Sequence, residues 1–371
     1  MSRMIARFIP LIAVLGAYVL FYLYRYLRLF LPRAAVIPAV CLLAAFLACV
    51  PLWFVLRGTR ASRLVTVLGA YAMGVFVYLL LYTLAFGLLQ LIARIFVHDP
   101  VKMRTARLIL GSACVGLTIV TCAWGFWNAA HPRVVKYRQE SIGDLRIVLI
   151  SDVHLGEVGS EERLERIVDT VNGCDADIVC IAGDIFSSGY SAVNDPERAM
   201  RLMGQLRARY GVYACPGNHD GGEGYDKMTE FLADSGVTLL RDEGVVIDGR
   251  YALFGRRDAS SIGRADGVRR QDITDRLHAA AESGLTVIVM DHNPTHIDEY
   301  DESVKLVLSG HTHRGQIFPA SLVTARVYKE DYGYYVSDRG VHQVISCGVG
   351  TWGLPMRTGS CSEVALIGAG F

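Results

Sequence analysis

Residues 145–154 read Leu145-Arg146-Ile147-Val148-Leu149-Ile150-Ser151-Asp152-Val153-His154, an aliphatic run that stops abruptly at polar residues. Branched aliphatics at this density over so few positions predict a short buried strand. Asp152 and His154 stand two positions apart just past its end, a step that turns both side chains to one side. The arrangement returns along the chain. Ala182 is followed by Gly183-Asp184, Cys215 by Pro216-Gly217-Asn218-His219-Asp220, Met290 by Asp291-His292, and Ser309 by Gly310-His311-Thr312-His313. Successive strand ends thus deliver metal-ligand residue types to one predicted rim, several beside a glycine where backbone turns sharply.

Outward from this stretch, helical and extended segments alternate. Helices are predicted over 161–171, 195–208, 225–232 and 271–283, with a hairpin over 244–254. Extended runs are predicted over 145–150, 177–182, 211–215, 285–290, 304–308, 343–347 and 363–367. The class is α/β, with two mixed β-sheets packed as a sandwich and flanked by helices.

The other end of the chain is different in kind. Residues 8–24, 34–56, 64–93 and 108–130 contain no Asp, Glu, Lys or Arg. A bilayer crossing needs about 20 apolar residues, so about four transmembrane helices are expected, the first being marginal. Tyr22, Tyr24, Trp53, Trp124 and Trp127 stand near their ends, where amphipathic rings favour the interface. A soluble helical bundle and a cleaved signal peptide behind Arg3 and Arg7 are the alternatives. The expected organisation is a transmembrane region over 1–130, a linker over 131–144 and a catalytic domain over 145–371. A linker of that length reaches at most about 3.3–3.6 Å per residue, which keeps the catalytic domain near the bilayer.

Charge follows the same division. Residues 1–140 hold 15 Lys and Arg against only Asp99 and Glu140, while the remainder holds 22 basic and 34 acidic residues. A basic half and an acidic half describe two solvents, not a nucleic-acid binder. Basic residues do not name the membrane side. Arg3, Arg7, Arg57, Arg60, Arg63, Arg133, Lys136 and Arg138 flank one set of helix ends, and Arg25, Arg28, Arg33, Arg94, Lys102, Arg104 and Arg107 the other. Five cysteines beyond the apolar runs form no Cys-x-x-Cys pair, and thiols without partners lean toward a cytoplasmic catalytic domain.

The ordered motifs Asp-x-His, Gly-Asp, Gly-Asn-His-Asp, His and Gly-His-x-His resemble those of the calcineurin-like metallophosphoesterases over residues 143–371. Residues 310–316 and 350–357 look like one branch of that family, with membrane-associated and exported bacterial members. The resemblance implies that Asp152, His154 and His313 hold one divalent metal, that Asn218, His292 and His311 hold a second, and that Asp184 bridges them. Nitrogen and oxygen donors without thiolate suit manganese, iron or zinc. Two such ions lower the pKa of a shared water toward neutrality and clamp the attacking and leaving oxygens of a phosphoryl transfer. With two carboxylates and one hydroxide against two dications the inner site is net positive, which draws in a phosphate ester locally.

His219 follows a ligand position and is expected to protonate the leaving oxygen, with Asp220 orienting it or stabilising its charge. Arg357 reads equally as a phosphate contact and as a tie within its glycine-rich loop, and Trp352 as a contact to an apolar substrate. His296, four residues past His292, rivals it as a ligand, whereas His278 and His342 read as ordinary surface or core groups. The chain departs from the family at Ile185-Phe186-Ser187-Ser188, where many relatives carry a charged residue, and at 358–363, which lacks prolines. The expected activity is a membrane-anchored phosphoesterase acting on a phosphoester or pyrophosphate bond, with a lipid-linked substrate the natural partner of the helices. Relatives with this tail include enzymes that cleave the pyrophosphate of nucleotide-linked acylated sugars. The alternatives are a general phosphomonoesterase or nucleotide phosphodiesterase that is merely anchored, and a membrane scaffold or sensor with a slow metal site.

Overall fold

The computed structural model describes residues 9–56, 63–156, 158–187, 189–221, 224–260 and 268–370. Arg3, Arg7, Phe8, Arg57, Arg60 and Ser188 lie outside the described residues. The chain separates into two compact units with the boundary between Phe126 and Trp127.

The first unit carries four helices long and apolar enough to cross a membrane: α1 (Ile9–Leu27), α2 (Arg33–Leu56), α3 (Arg63–Phe96) and α4 (Pro100–Ala130). All four take in a charged residue beyond the charge-free stretches that announced them. α1 continues through Arg25, and α4 begins eight residues before Leu108 because Asp99 Oδ1 accepts the Val101 and Lys102 amides at 2.8 and 3.0 Å and Pro100 suits the first helical position. Absence of charge marks what lipid tolerates, whereas capping marks where a helix starts. Val19, Leu23, Leu47, Phe76 and Leu79 form a small core among α1, α2 and α3.

The second unit holds two six-stranded sheets. In the first, the order is β1 (Arg133–Arg138), β12 (Glu363–Gly368), β2 (Ile147–Ile150), β3 (Ile178–Ala182), β4 (Val212–Cys215) and β5 (Val237–Leu239). The second runs β10 (Gly333–Val336), β11 (His342–Ile345), β9 (Val304–Ser309), β8 (Thr286–Met290), β7 (Tyr251–Gly255) and β6 (Glu243–Ile247). β2 to β5 are parallel, as are β7, β8, β9 and β11, so the C-terminal ends of each set share an edge of their sheet.

Period-two alternation distributes the aliphatic run of β2 between two cores. Ile147 and Leu149 meet Ile288, Met290, Leu306 and Leu308 between the sheets. Val148 and Ile150 pack under helices α5 (Ser160–Asn172), α6 (Pro196–Met203) and α7 (Tyr225–Asp234). On the far side of the second sheet, Val287, Val289 and Phe254 pack with Leu277 of α8 (Thr274–Glu282). Fully burying each such side chain is worth about 1.5–3 kcal/mol relative to exposure.

The segment 131–144 is not a free linker. Its first half is β1, which pairs in parallel with β12 from Arg133 opposite Glu363 to Arg138 opposite Gly368. The charges that hid it, Arg133, Lys136 and Arg138, belong on an exposed edge strand, where they oppose further pairing. Upstream of it, within the same unit, Asn128 Nδ2 donates to the carbonyls of Arg357 and Ser360 at 3.0 and 2.8 Å.

Candidate metal centre

Loops at the strand ends are stitched to one another by backbone bonds. Asp152 N–H donates to the Gly183 carbonyl at 2.9 Å, His154 N–H to Asp184 at 3.1 Å, Gly310 N–H to His292 at 3.0 Å and Gly350 N–H to Asp152 at 2.9 Å. Two glycines permit that closeness. A Cβ on Gly217 would stand 2.3 Å from the Asp184 amide nitrogen, and one on Gly183, whose φ is +77°, would stand 2.6 Å from His292 Nδ1. Asp152, His154, Asp184, His311 and His313 also hold φ between 51° and 74°. That conformation costs a non-glycine residue about 1–2 kcal/mol, and such strain collects at functional sites.

Two clusters result, each with ligand atoms within 4.8 Å of one another: Asp152 with His154 and His313, and Asp184 with His292 and His311. In the first, His154 Nε2 lies 3.1 Å from His313 Nε2, and Asp152 Oδ1 lies 3.2 Å from His313 Nε2 and 3.9 Å from His154 Nε2. In the second, Asn218 Oδ1 lies 2.8 Å from His311 Nδ1 and 3.2 Å from His292 Nε2. Asp184 Oδ2 reaches both clusters, 3.3 Å from His292 Nε2 and 3.9 Å from His154 Nε2. His292 is aimed by its other nitrogen, which contacts the Ala182 carbonyl at 2.8 Å.

The chemistry of this donor set fits cations. Asp152 Oδ1, buried and facing two imidazole nitrogens, has no hydrogen-bond partner, an omission that native structures rarely allow without an ion or water. Burial pushes His154 down to about 3 and His311 down to about 4, so both rings are neutral and able to donate a lone pair. Burial also works to raise the Asp152 and Asp184 carboxyls, but His313 beside the first and His292 beside the second more than offset it and keep both ionised. For His292 burial favours the neutral ring, and Asp184 overrides it, holding the imidazole well above its usual value. A bound cation would take that proton's place.

The expected ligand positions are thus brought together, and His296 is not among them: its Nδ1 lies 3.7 Å from Asp291, itself braced by Arg270 at 2.6 and 3.0 Å. His278 pairs with Asp301 at 2.8 Å, and His342 contacts the Tyr334 hydroxyl. His219 stands at the edge of the clusters, its ring centroid 5.4 Å from that of His154 and 6.0 Å from that of Trp352. Its Nδ1 contacts the Ser187 carbonyl at 2.9 Å.

One expectation needs correction, and for Arg357 the loop-tie alternative is the one the geometry matches. Asp220 does not orient the His219 ring: its oxygens accept the Phe186 and Gly217 amides at 2.9 and 2.8 Å and tie two loops together. Burial, with Asp184 nearby, pushes Asp220 up to about 7. Arg357 is not exposed to a substrate. It is wholly buried, donating to Gly350 and Cys347 carbonyls at 2.9 and 2.8 Å, to Ser360 Oγ at 2.7 Å and to His313 Nδ1 at 3.3 Å.

Sequence reasoning also missed contributors. Ser187, the residue that aims His219, acts through its carbonyl, which side-chain identity does not reveal. Asp258, buried just past β7, is close enough to His292 and His311 to favour their charged forms, and no motif flagged it. Gln316 joins the Gly310 and Gly350 motifs, donating to the Trp352 and Leu354 carbonyls at 3.2 and 3.0 Å and accepting the Trp352 amide at 2.8 Å.

Residues 145–315 match the family model described as calcineurin-like phosphoesterase. A metallophosphoesterase of Aquifex aeolicus is 30% identical over 259 residues, 68% of this chain and 97% of that protein. The chain belongs to the calcineurin-like metallophosphoesterase family. A metallophosphoesterase of Helicobacter pylori is 29% identical, covering 84% of each chain. A transmembrane protein with metallophosphoesterase domain from Danio rerio is 29% identical over 80% of this chain and 71% of its own length. As a metallophosphoesterase the protein is a metal-dependent hydrolase of phosphoesters, and the two clusters are its candidate dinuclear centre.

Proposed function

We propose that this metallophosphoesterase cleaves a phosphoester or pyrophosphate bond in a lipid-linked substrate. In this reading Asp152, His154 and His313 hold one ion, Asn218, His292 and His311 hold the other, and Asp184 lies between them. Manganese, iron or zinc would suit these donors, and when bound the pair supplies Lewis acidity toward the phosphoryl oxygens and a water nucleophilic near neutrality. The rest falls to the chain. Asp184 Oδ1 accepts the His219 amide at 2.7 Å and the Ser187 carbonyl occupies Nδ1, which leaves His219 Nε2 as the ring atom to protonate a leaving oxygen.

The observation favouring a lipid is the apolar rim. The turn after His313 leads directly into α9 (Ala320–Val327), none of whose residues is buried. Phe318, Leu322, Val323 and Val327 are all exposed there, and Trp352, 52% exposed, stands across the site beside His219. Tyr328 at the end of α9 meets the His311 ring edge-on at 6.1 Å, so this surface borders the clusters. Exposed apolar side chains beside a catalytic site suit acyl chains, whereas a soluble phosphomonoester has no use for them.

The test is a comparison of kcat/KM for full-length, metal-reconstituted protein on a lipid-linked pyrophosphate in mixed micelles and on a chromogenic phosphodiester in solution. Preference for the lipid is expected, and Trp352→Ala should lower its kcat/KM by about tenfold while sparing the soluble ester. Equal use of both, or of soluble esters alone, identifies a general phosphoesterase that is merely anchored. No hydrolysis of either identifies a scaffold or sensor.

A further inference from the structure

The arginines of the first unit are not spread evenly around the helix ends. Arg25 in the last turn of α1, Arg94 in the last turn of α3 and Arg107 near the start of α4 line one cavity of about 420 Å³. No carboxylate pairs with any of the three among the described residues, and Arg107 Nε is buried without a hydrogen-bond partner. Asp99, the lone acidic residue before Glu140, already serves the Val101 and Lys102 amides.

Three like charges around one cavity repel unless an anion joins them, and guanidinium forks suit phosphate oxygens. The cavity's other wall says where that phosphate comes from. Leu84, Leu88 and Leu91 form an i, i+4, i+7 stripe on α3 that lines it, and each is about half exposed. Each arginine directly borders a charge-free run, at the depth where lipid phosphates lie. A polar end facing a phosphate and an open aliphatic wall facing acyl chains match one molecule.

We propose that Arg25, Arg94 and Arg107 form a binding site for the headgroup phosphate of an anionic membrane phospholipid, with its acyl chains along the leucine stripe of α3. A zwitterionic lipid would return a positive charge to the cluster and is disfavoured. The site is separate from the metal centre, and its occupancy does not depend on which phosphoester the enzyme cleaves.

Native mass spectrometry of the full-length protein in neutral detergent tests this, titrating phosphatidylglycerol, phosphatidylcholine with the same chains, and inorganic phosphate. Phosphatidylglycerol should give a saturable adduct at concentrations where phosphatidylcholine gives little and inorganic phosphate does not compete. Each Arg→Gln change should weaken it about fivefold, and Arg25→Gln/Arg94→Gln/Arg107→Gln should abolish it. Hydrolysis of a soluble chromogenic phosphodiester should be unchanged in these variants, which verifies that they fold. If the triple variant does not fold, the single variants and the lipid selectivity of the unmodified chain still decide. Equal retention of both lipids, undiminished binding by the single variants, or complete competition by inorganic phosphate overturns the proposal.

Discussion

The chain has two concentrations of charge, and they are short of opposite partners. At the rim of the sheets, buried carboxylates and imidazoles converge and Asp152 Oδ1 is left without a hydrogen-bond partner. In the helical unit three guanidinium groups line one cavity with no carboxylate among them. An uncompensated buried charge costs several kcal/mol, which bears on buried Asp152, whereas Arg25 and Arg94 are exposed and the contrast there rests on like charges lining one cavity. The difference in sign names the ligand: cations at the rim, an anion among the helices.

The comparison breaks first at Asp184. Asp184→Asn keeps the shape but removes the negative charge that reaches both clusters. Turnover should fall roughly a thousandfold or more, and elemental analysis should find less metal per chain. Unchanged metal content and turnover would leave the first deficit imaginary. His219→Ala should be milder, because that ring borders the clusters without belonging to either. Turnover is expected to fall roughly a hundred- to ten-thousandfold with metal content intact. Loss of metal along with activity would move His219 from proton donor to ligand.

Arg357 sharpens the contrast with the helical arginines, since it is a cation whose partners are all internal. Arg357→Met leaves the buried Cys347 and Gly350 carbonyls without their donor and should destabilise the second unit by about 2–4 kcal/mol in denaturant unfolding. KM for a soluble phosphodiester should hardly move. A large rise in KM with no loss of stability would restore the phosphate-contact reading.

These residues also mark what the sequence could tell. Strand ends were legible because aliphatic runs are short and stop at ligand types, and the charge-free helices because lipid excludes charge. The 131–144 segment misled because an edge strand may be charged, so β1 looked like a linker. Arg357 and Asp220 are chemically suited to the roles first assigned, and only burial decides that backbone groups already use them. Ser187 acts through its carbonyl, and the arginine cavity needs three helices to meet, so neither leaves a local pattern.

The smallest effect comes from a pair that lacks nothing. His278 and Asp301 lie 2.8 Å apart, both well exposed, and each supplies the other's charge. The hydrogen bond to Asp301 raises His278, aided by Glu282 and Asp275, while hydrogen bonds from Ser303 and then His278 hold Asp301 down to about 2. A raised histidine contributes stability fully present below its unfolded value near about 6.5 and lost as pH rises through the higher folded one. A depressed aspartate contributes above its unfolded value near about 3.9, and that share fades as pH falls through about 2. The window of full effect is therefore about pH 4 to 6.5. Thermal unfolding of the protein and of Asp301→Asn should differ by no more than about a degree or two at pH 5.5, and the histidine's share should vanish by pH 8.5 or in high salt. A metal chelator should leave that difference unchanged, because a pair with its own counter-charge has no call on a ligand. A difference that grows toward alkaline pH would mean that His278 is stabilised as the neutral ring, and that proximity of opposite groups is a poor guide to charge balance in this chain.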